Sequence, residues 1–209
     1  MPPNPSVATL RARFGASVGR SAVILGDTIV CVAADQAHEI FTWLRDDAGE
    51  RYDYLVDVTA VEYRDRELPL EVVYQLRSLP RNADLRVKIE LRKDAELVVD
   101  SVVDLWPGAN WLEREVYDMF GVRFRGHPDL RRLLMWETYD EGYPLRKDFP
   151  LRGRFSRSEQ VRRALAADLR AHYSLEELSI AEAYAALPAD VRARLAAERG
   201  RETAGEGLG

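Results

Sequence analysis

Acidic residues recur at short intervals in residues 110–121, and a histidine follows them. Glu115 and Asp118 are three positions apart, so on a helix their carboxylates share one flank, and His127 comes nine residues later. Carboxylate and imidazole groups are common ligands for iron and other transition metals. The first chemistry that this pattern suggests is a carboxylate–histidine metal site.

The rest of the sequence argues against such a site. Helical di-iron sites need a Glu-x-x-His motif on two facing helices, and the chain offers no second set. His38 and His172 lie in predicted helices with no second histidine at ligand spacing, which favours solvent-facing or packing roles. There is no Gly-x-Ser-x-Gly elbow and no cysteine–histidine nucleophile pair. We therefore expect no catalytic residue and no metal site in this chain.

The single cysteine, Cys31, limits the possible chemistry further. One cysteine excludes an internal disulfide framework and any zinc or iron–sulfur site built from cysteines. It lies in the apolar run 29–32, which favours a buried structural thiol. No glycine-rich phosphate loop follows a predicted strand, so nucleotide binding has no local support.

Residues 110–121 are predicted to form a helix. An apolar stripe at helical spacing is formed by Leu112, Val116, Met119 and Phe120. Gly121 supplies the left-handed residue that commonly ends a helix. The charged residues of this segment must therefore be placed around that stripe.

Most charged residues of this helix have a structural interpretation beside a functional one. Asn110 and Glu113 have the spacing of a capping box. Arg114 and Asp118 fall on the face opposite the stripe, four residues apart, which is the spacing of a surface ion pair. Only Glu115 lacks such a role, because it borders the buried face, where a charge requires a partner.

The charge of the chain is unevenly distributed. The net charge is −5, which argues against general nucleic-acid binding. Residues 121–170, however, carry 12 Lys/Arg and 7 Asp/Glu, a local +5 that leaves −10 elsewhere. Such asymmetry fits either a docking surface or pairing within the chain. No signal peptide and no apolar stretch of about 20 residues is present, so we expect membrane contact only through a partner.

The first half of the chain alternates helix and strand patterns. Short helices are predicted around residues 7–14 and 37–44, and a type II′ hairpin is predicted at Gly26-Asp27. Residues 52–60, 70–77 and 85–92 then alternate apolar and polar residues with period two. This pattern predicts an α+β fold, in which a mostly antiparallel sheet has helices packed on one face.

The character of the sequence changes near residue 125. Residues 125–157 are rich in Pro, Gly, Arg and aromatic residues and show no sustained period, which predicts an extended segment. We expect an α+β core domain at 1–124, an extended basic docking segment at 125–157, short C-terminal helices at 158–200 and a disordered tail at 201–209.

The charged helix and the residues after it resemble the signature of the 30 kDa subunit family of respiratory complex I. The matching positions are Glu113, Arg114, Glu115, Asp118, Met119, Phe120, His127, Arg131, Leu133 and Leu134. Residues 126–132 (GHPDLRR) and 143–150 (YPLRKDFP) are also similar to that family, and residues 52–63 resemble its characteristic strand. The resemblance is strong over about residues 109–151 and moderate over 52–108.

The resemblance implies a place in an enzyme complex. It implies a non-catalytic subunit in the peripheral arm of a proton-translocating NADH:quinone oxidoreductase, on the cytoplasmic side of the bacterial inner membrane. Such a subunit packs against the 49 kDa (D) subunit near the quinone site, while FMN, iron–sulfur clusters and quinone are bound by partner subunits. The residues expected to carry the family signature or the partner interface are Glu113, Arg114, Glu115, Asp118, His127, Arg131, Arg132, Arg146 and Lys147.

Two alternatives remain open at this point. A related domain occurs in membrane-bound nickel–iron hydrogenases, formate hydrogenlyase and F420H2 dehydrogenases, where it docks on a different large subunit. A free-standing adaptor domain is the second alternative, and it predicts a monodisperse monomer in solution.

Overall fold

The computed structural model describes residues 4–92, 96–136 and 139–166. The helices are α1 (Ser6–Phe14), α2 (Ala37–Asp46), α3 (Ala109–Phe120) and α4 (Arg157–Ala166), with a 3-10 turn at Gly15–Ser17. The strands are β1 (Val18–Ile24), β2 (Asp27–Val32), β3 (Tyr54–Glu62), β4 (Leu70–Ser78), β5 (Ala83–Leu91), β6 (Val98–Asp100) and β7 (Arg123–Arg125).

Five strands form the main sheet, in the order β1-β2-β5-β4-β3. Every neighbouring pair is antiparallel except β2 and β5, which run parallel. Strands β6 and β7 form a separate parallel pair. The predicted α+β fold with a mostly antiparallel sheet is confirmed.

One face of the sheet carries the hydrophobic core. Tyr74 on β4 lies opposite Val87 on β5, and both are fully buried. The ring of Phe41 from α2 packs 4.5 Å from the ring of Tyr74, and the ring of Trp106 lies 6.1 Å from that of Phe41. Residues at the alternate positions of β5, such as Lys88, are polar, so the period-two pattern of this strand matches the two faces of the sheet.

The polar face of the sheet holds a buried carboxylate. Glu71 on β4 is fully buried, although its neighbours are charged side chains. Its carboxylate pairs with Arg66 at 2.7 Å, Lys88 at 2.6 Å and Arg20 at 3.1 Å. Three cations around one anion offset its cost of desolvation, so the charges of this face are largely neutralised within the chain.

The first hairpin turns one residue earlier than predicted. Strand β1 ends at Ile24 and β2 begins at Asp27, so the connection is Leu25-Gly26. Both residues have positive φ, 53° for Leu25 and 98° for Gly26, which is the sign pattern of a type I′ turn and not of type II′. The right-handed twist of the strands favours type I′, even with a leucine at the first position.

Residues up to 164 form one compact unit. Residues 125–157 therefore belong to the same unit as the sheet. The first predicted C-terminal helix is present as α4. The other predicted C-terminal helices and the tail at 201–209 lie outside the described residues.

Candidate functional site

Helix α3 positions most of the residues that the sequence singles out. It packs against β3 and β7, and its buried residues include three charged ones, Glu113, Arg114 and Asp118. The helix ends as predicted at Gly121, which has φ of 77°. The ring of Tyr143 lies so close to Gly121 that a Cβ atom there would collide with it, so glycine also allows the later segment to approach α3.

Glu113 fastens α3 to the loop that follows β6. One carboxylate oxygen accepts a hydrogen bond from the Ser101 hydroxyl at 2.7 Å, and the other accepts one from the Val102 N–H at 2.7 Å. The predicted capping box is wrong, since the helix begins at Ala109 after Gly108 and has no side-chain cap. Burial raises the pKa of the Glu113 carboxyl to about 7, because desolvation penalises the charged form.

Arg114 fastens α3 to the segment after β7. Its Nε donates to the carbonyl of Arg131 at 3.1 Å and its Nη2 donates to the carbonyl of Arg132 at 3.0 Å. The guanidinium carbon also lies 5.2 Å from the centre of the Trp111 ring. Arg114 therefore satisfies backbone carbonyls of a segment that has few regular hydrogen bonds.

Asp118 is the most heavily bonded of these residues and is fully buried. Its Oδ2 accepts hydrogen bonds from three consecutive backbone N–H groups, those of Leu133 at 3.0 Å, Leu134 at 2.7 Å and Met135 at 2.8 Å. Its Oδ1 accepts one from Arg132 at 2.6 Å. The predicted surface pair of Arg114 with Asp118 is wrong, because residues 131–135 cover the helix face that the apolar stripe leaves open.

Glu115 is the one signature carboxylate of α3 that is exposed. The helical pattern predicted that Glu115 lies at the edge of the buried face, where its charge would need a partner. In the structure the side chain of Glu115 is exposed, so it does not lie at the buried edge that the helical pattern indicated. Residues 131–135 cover the helix face that was expected to meet solvent, and Asp118 is buried there.

His127 is held as a neutral imidazole by its hydrogen bonds. Its Nδ1 accepts a hydrogen bond from the N–H of Asp129 at 3.0 Å, so its Nε2, 3.1 Å from the carbonyl of Asn110, carries the proton and donates. Partial burial lowers the pKa of His127, which agrees with a neutral ring. His127 thus links the start of α3 to the turn after β7.

The basic residues predicted for the interface divide into an inner and an outer group. Arg132 and Arg146 have side chains only 12% and 14% exposed, and they pair with Asp118 at 2.6 Å and with Glu62 at 3.6 Å. Arg131 pairs with Asp129 at 2.8 Å. Lys147 alone among the four is exposed.

Two further carboxylates of the site were missed by the sequence reasoning. Glu62, at the end of β3, accepts a hydrogen bond from the N–H of Lys147 at 2.6 Å. Glu62 continues the inward alternation of Val58 and Ala60, and that pattern could have identified it. Glu141 accepts from the N–H of Arg154 at 2.6 Å and from that of the next residue at 3.1 Å. No sequence signal marks Glu141.

The potential metal-ligating side chains of the described residues are dispersed. Within residues 4–92, 96–136 and 139–166, no three His, Cys, Asp or Glu side chains are grouped as metal ligands. An open cavity of about 650 Å³ is lined by polar side chains that already contact each other, His38 with Asp104 at 3.0 Å and Arg125 with Asp100 at 2.6 Å. The same described residues contain no helix long and apolar enough to cross a membrane.

Comparison with known proteins places these features in a family. The family described as "Respiratory-chain NADH dehydrogenase, 30 Kd subunit" matches residues 30–155. A protein from Azorhizobium caulinodans, named as the C subunit of NADH-quinone oxidoreductase, is 47% identical over 131 residues, which is 63% of this chain and 61% of that protein. The chain thus spans less than two thirds of this relative.

A second relative is covered more completely. A protein of the same name from Citrifermentans bemidjiense is 42% identical over 150 residues, 72% of this chain and 91% of that protein. Among solved structures, a chain of the membrane-bound sulfane sulfur reductase, an archaeal respiratory membrane complex, superposes with a TM-score of 0.58 at 23% identity, covering 70% of this chain and 85% of that one. The structural comparison shows a shared fold. Taken with the family match, the buried helix and its downstream segment identify the chain as a member of the family of the 30 kDa subunit of respiratory-chain NADH dehydrogenase.

Proposed function

We propose that this chain is a non-catalytic structural subunit in the peripheral arm of a proton-translocating NADH:quinone oxidoreductase. In this proposal it docks on the 49 kDa (D) subunit near the quinone site, on the cytoplasmic side of the bacterial inner membrane. Membership of the 30 kDa subunit family supports the complex, and the relatives' shared name, which makes each the C subunit of an NADH-quinone oxidoreductase, supports the reaction.

One observation supports a structural role for this chain. The buried signature carboxylates are occupied by the chain's own donors, Glu113 by Ser101 and Val102, and Asp118 by Arg132 and three backbone N–H groups. A catalytic acid or base must reach the reacting group, whereas these carboxylates face their own backbone. The motif therefore shapes a surface and leaves the chemistry to other subunits.

The cofactors of the reaction are assigned to partners in this proposal. An iron–sulfur cluster needs several cysteine ligands, and this chain has Cys31 alone, which is buried. We assign FMN, the iron–sulfur clusters and the quinone to other subunits of the complex. Contact of this chain with the membrane then comes through the complex.

Native electrophoresis of solubilised membranes tests the proposal. The gel is stained for NADH oxidation and probed for this chain, and the chains of the same band are identified by mass spectrometry. We expect this chain in a large NADH-oxidising band together with a 49 kDa subunit, and we expect chemical cross-links between the two. Migration only as a small species would contradict the proposal, and a band that contains hydrogenase or F420H2 dehydrogenase chains would replace it with that alternative.

A further inference from the structure

Two buried carboxylates, Glu62 and Glu141, hold the inner side of residues 143–157. Glu62 holds the backbone of Lys147 and the side chain of Arg146, and Glu141 holds the backbone of Arg154 and the side-chain amide of Gln160. Asp118 holds Arg132 in the same way. Arg132 and Arg146 are therefore paired with carboxylates of the chain itself.

The same segment also carries cations that are exposed to solvent. The exposed cations are Lys147, Arg152, Arg154 and Arg157. In the part of the chain that the structure describes, none of these four pairs with a carboxylate, and the guanidinium of Arg154 lies 5.8 Å from the ring of Phe149. The segment is also locally compact, since the N–H of Gly153 donates to the carbonyl of Pro150 at 2.9 Å.

Two leucines stand exposed among these cations. Leu145 is 52% exposed and Leu151 is fully exposed, with a relative accessibility of 105%. The backbone beneath Leu145 is fixed, because its N–H donates to the carbonyl of Met119 in α3 at 3.1 Å. Apolar side chains held outward on a fixed backbone lose little conformational entropy on binding.

We propose that Leu145, Lys147, Leu151, Arg152, Arg154 and Arg157 form a preorganised docking face for an acidic protein surface with apolar recesses. This deepens the proposed function, on which it rests, by assigning the contact to the outer cations in place of Arg131, Arg132 and Arg146. Three of the four cations are arginines, whose planar guanidinium groups can each donate two parallel hydrogen bonds to one carboxylate.

Charge complementarity selects a protein as the occupant. The chain as a whole has a net charge of −5, so an anionic membrane or a nucleic acid would repel most of the molecule. A protein partner that contacts only this face needs carboxylates only opposite the four cations. The leucines then add apolar contact to the charged contacts.

The test reverses charge on the outer face of the full chain in its host. Arg152→Glu/Arg157→Glu changes two exposed arginines of the face. The control, Arg13→Glu/Arg51→Glu, changes two exposed arginines elsewhere, and Arg51 precedes the start of β3, at the end of the strand opposite to Glu62 and Lys147. We expect the first variant to lower the fraction of this chain found in the large NADH-oxidising band by about tenfold or more. We expect the control variant to remain within about twofold of the wild type, and both purified chains to keep their melting temperature within about 2 °C.

A second pair of variants tests the leucines. Leu151→Ser should lower assembly by about fivefold or more, while Leu79→Ser, at a leucine that is 60% exposed, should leave it unchanged. The docking face is overturned if Arg152→Glu/Arg157→Glu enters the large band as fully as the wild type does. It is also overturned if the control variant loses as much assembly as Arg152→Glu/Arg157→Glu. Binding of the wild-type chain to phosphatidylglycerol vesicles that the same variant abolishes overturns the choice of a protein partner. Absence of the wild-type chain from the large band would instead contradict the proposed function itself.

Discussion

The sheet and the segment after residue 125 are held in place by different interactions. In the sheet, side chains such as Tyr74, Leu76 and Val87 are fully buried and apolar. In residues 125–157, the fastening groups are carboxylates on other elements, chiefly Asp118 and Glu62, which bind backbone N–H groups. One compact unit thus combines an apolar core with a segment that is fixed by buried charge.

The difference follows from what each sequence can satisfy by itself. Strands satisfy their backbone groups through their neighbours, so apolar burial is enough to hold them. A segment rich in Pro and Gly has few such bonds, and its N–H groups must find acceptors elsewhere. An ionised carboxylate is a strong acceptor for several N–H groups, and Asp118 takes three of them together with Arg132.

The largest expected effect comes from removing Asp118. Asp118→Ala leaves three partly buried N–H groups and Arg132 without their acceptor, which we expect to cost about 3–5 kcal/mol. The segment should open locally, so trypsin should cleave after Arg131 and Arg132 about 100-fold faster or more under native conditions. The cleavage rate of the folded full chain measures this.

The matched control is Leu76→Ala in the core of the sheet. It removes a fully buried leucine and should also cost about 2–5 kcal/mol. This loss of stability should appear as a lower free energy of unfolding in urea, because the whole sheet unfolds together. If Asp118→Ala produced the same global loss, with no preferential cleavage at 131–132, the two regions would not differ as described.

The next effect concerns the pH dependence of Glu113. Burial raises its pKa from 4.5 to about 7, so the folded state binds the proton more tightly than the unfolded state. The stabilisation from this group is complete below pH 4.5 and is lost as the pH rises through 7. Relative to Glu113→Gln, the wild type should therefore lose about 2–3 kcal/mol of unfolding free energy between pH 4.5 and pH 8.

Urea unfolding of both chains at a series of pH values checks whether the wild type loses stability relative to Glu113→Gln as the pH rises. The groups that face Glu113 include Asp104 and His38, and the comparison with Glu113→Gln cancels contributions that the two chains share. A wild type that gained stability with rising pH relative to Glu113→Gln would contradict a desolvated carboxyl.

The smallest effect is expected at Glu115. This side chain is exposed, so Glu115→Gln should change the unfolding free energy by less than about 0.5 kcal/mol at every pH. The same urea series provides the measurement. A loss above about 2 kcal/mol would show that Glu115 has a buried partner, as the helical pattern alone had indicated.

The sheet could be predicted well from the sequence, whereas the hydrogen bonds that hold residues 125–157 in place could not. Alternation along 70–77 and 85–92 is a direct consequence of which face is buried, so β4 and β5 and their core faces followed from it. The burial of Asp118 depends on residues 131–135, which have no period and whose path is set by long-range hydrogen bonds. The family signature marked Asp118 as important, but its role became clear only with its bonding partners in place.

Amide hydrogen exchange on the unmodified free chain tests the central claim most directly. If Asp118 and Glu62 fix the segment without a partner, the amides of Leu133, Leu134, Met135 and Lys147 should be strongly protected. We expect their exchange to be slowed by about 100-fold or more relative to an unstructured chain. Exchange at the unstructured rate, with protection confined to the strands of the sheet, would contradict the account and would mean that residues 125–157 fold only on their partner.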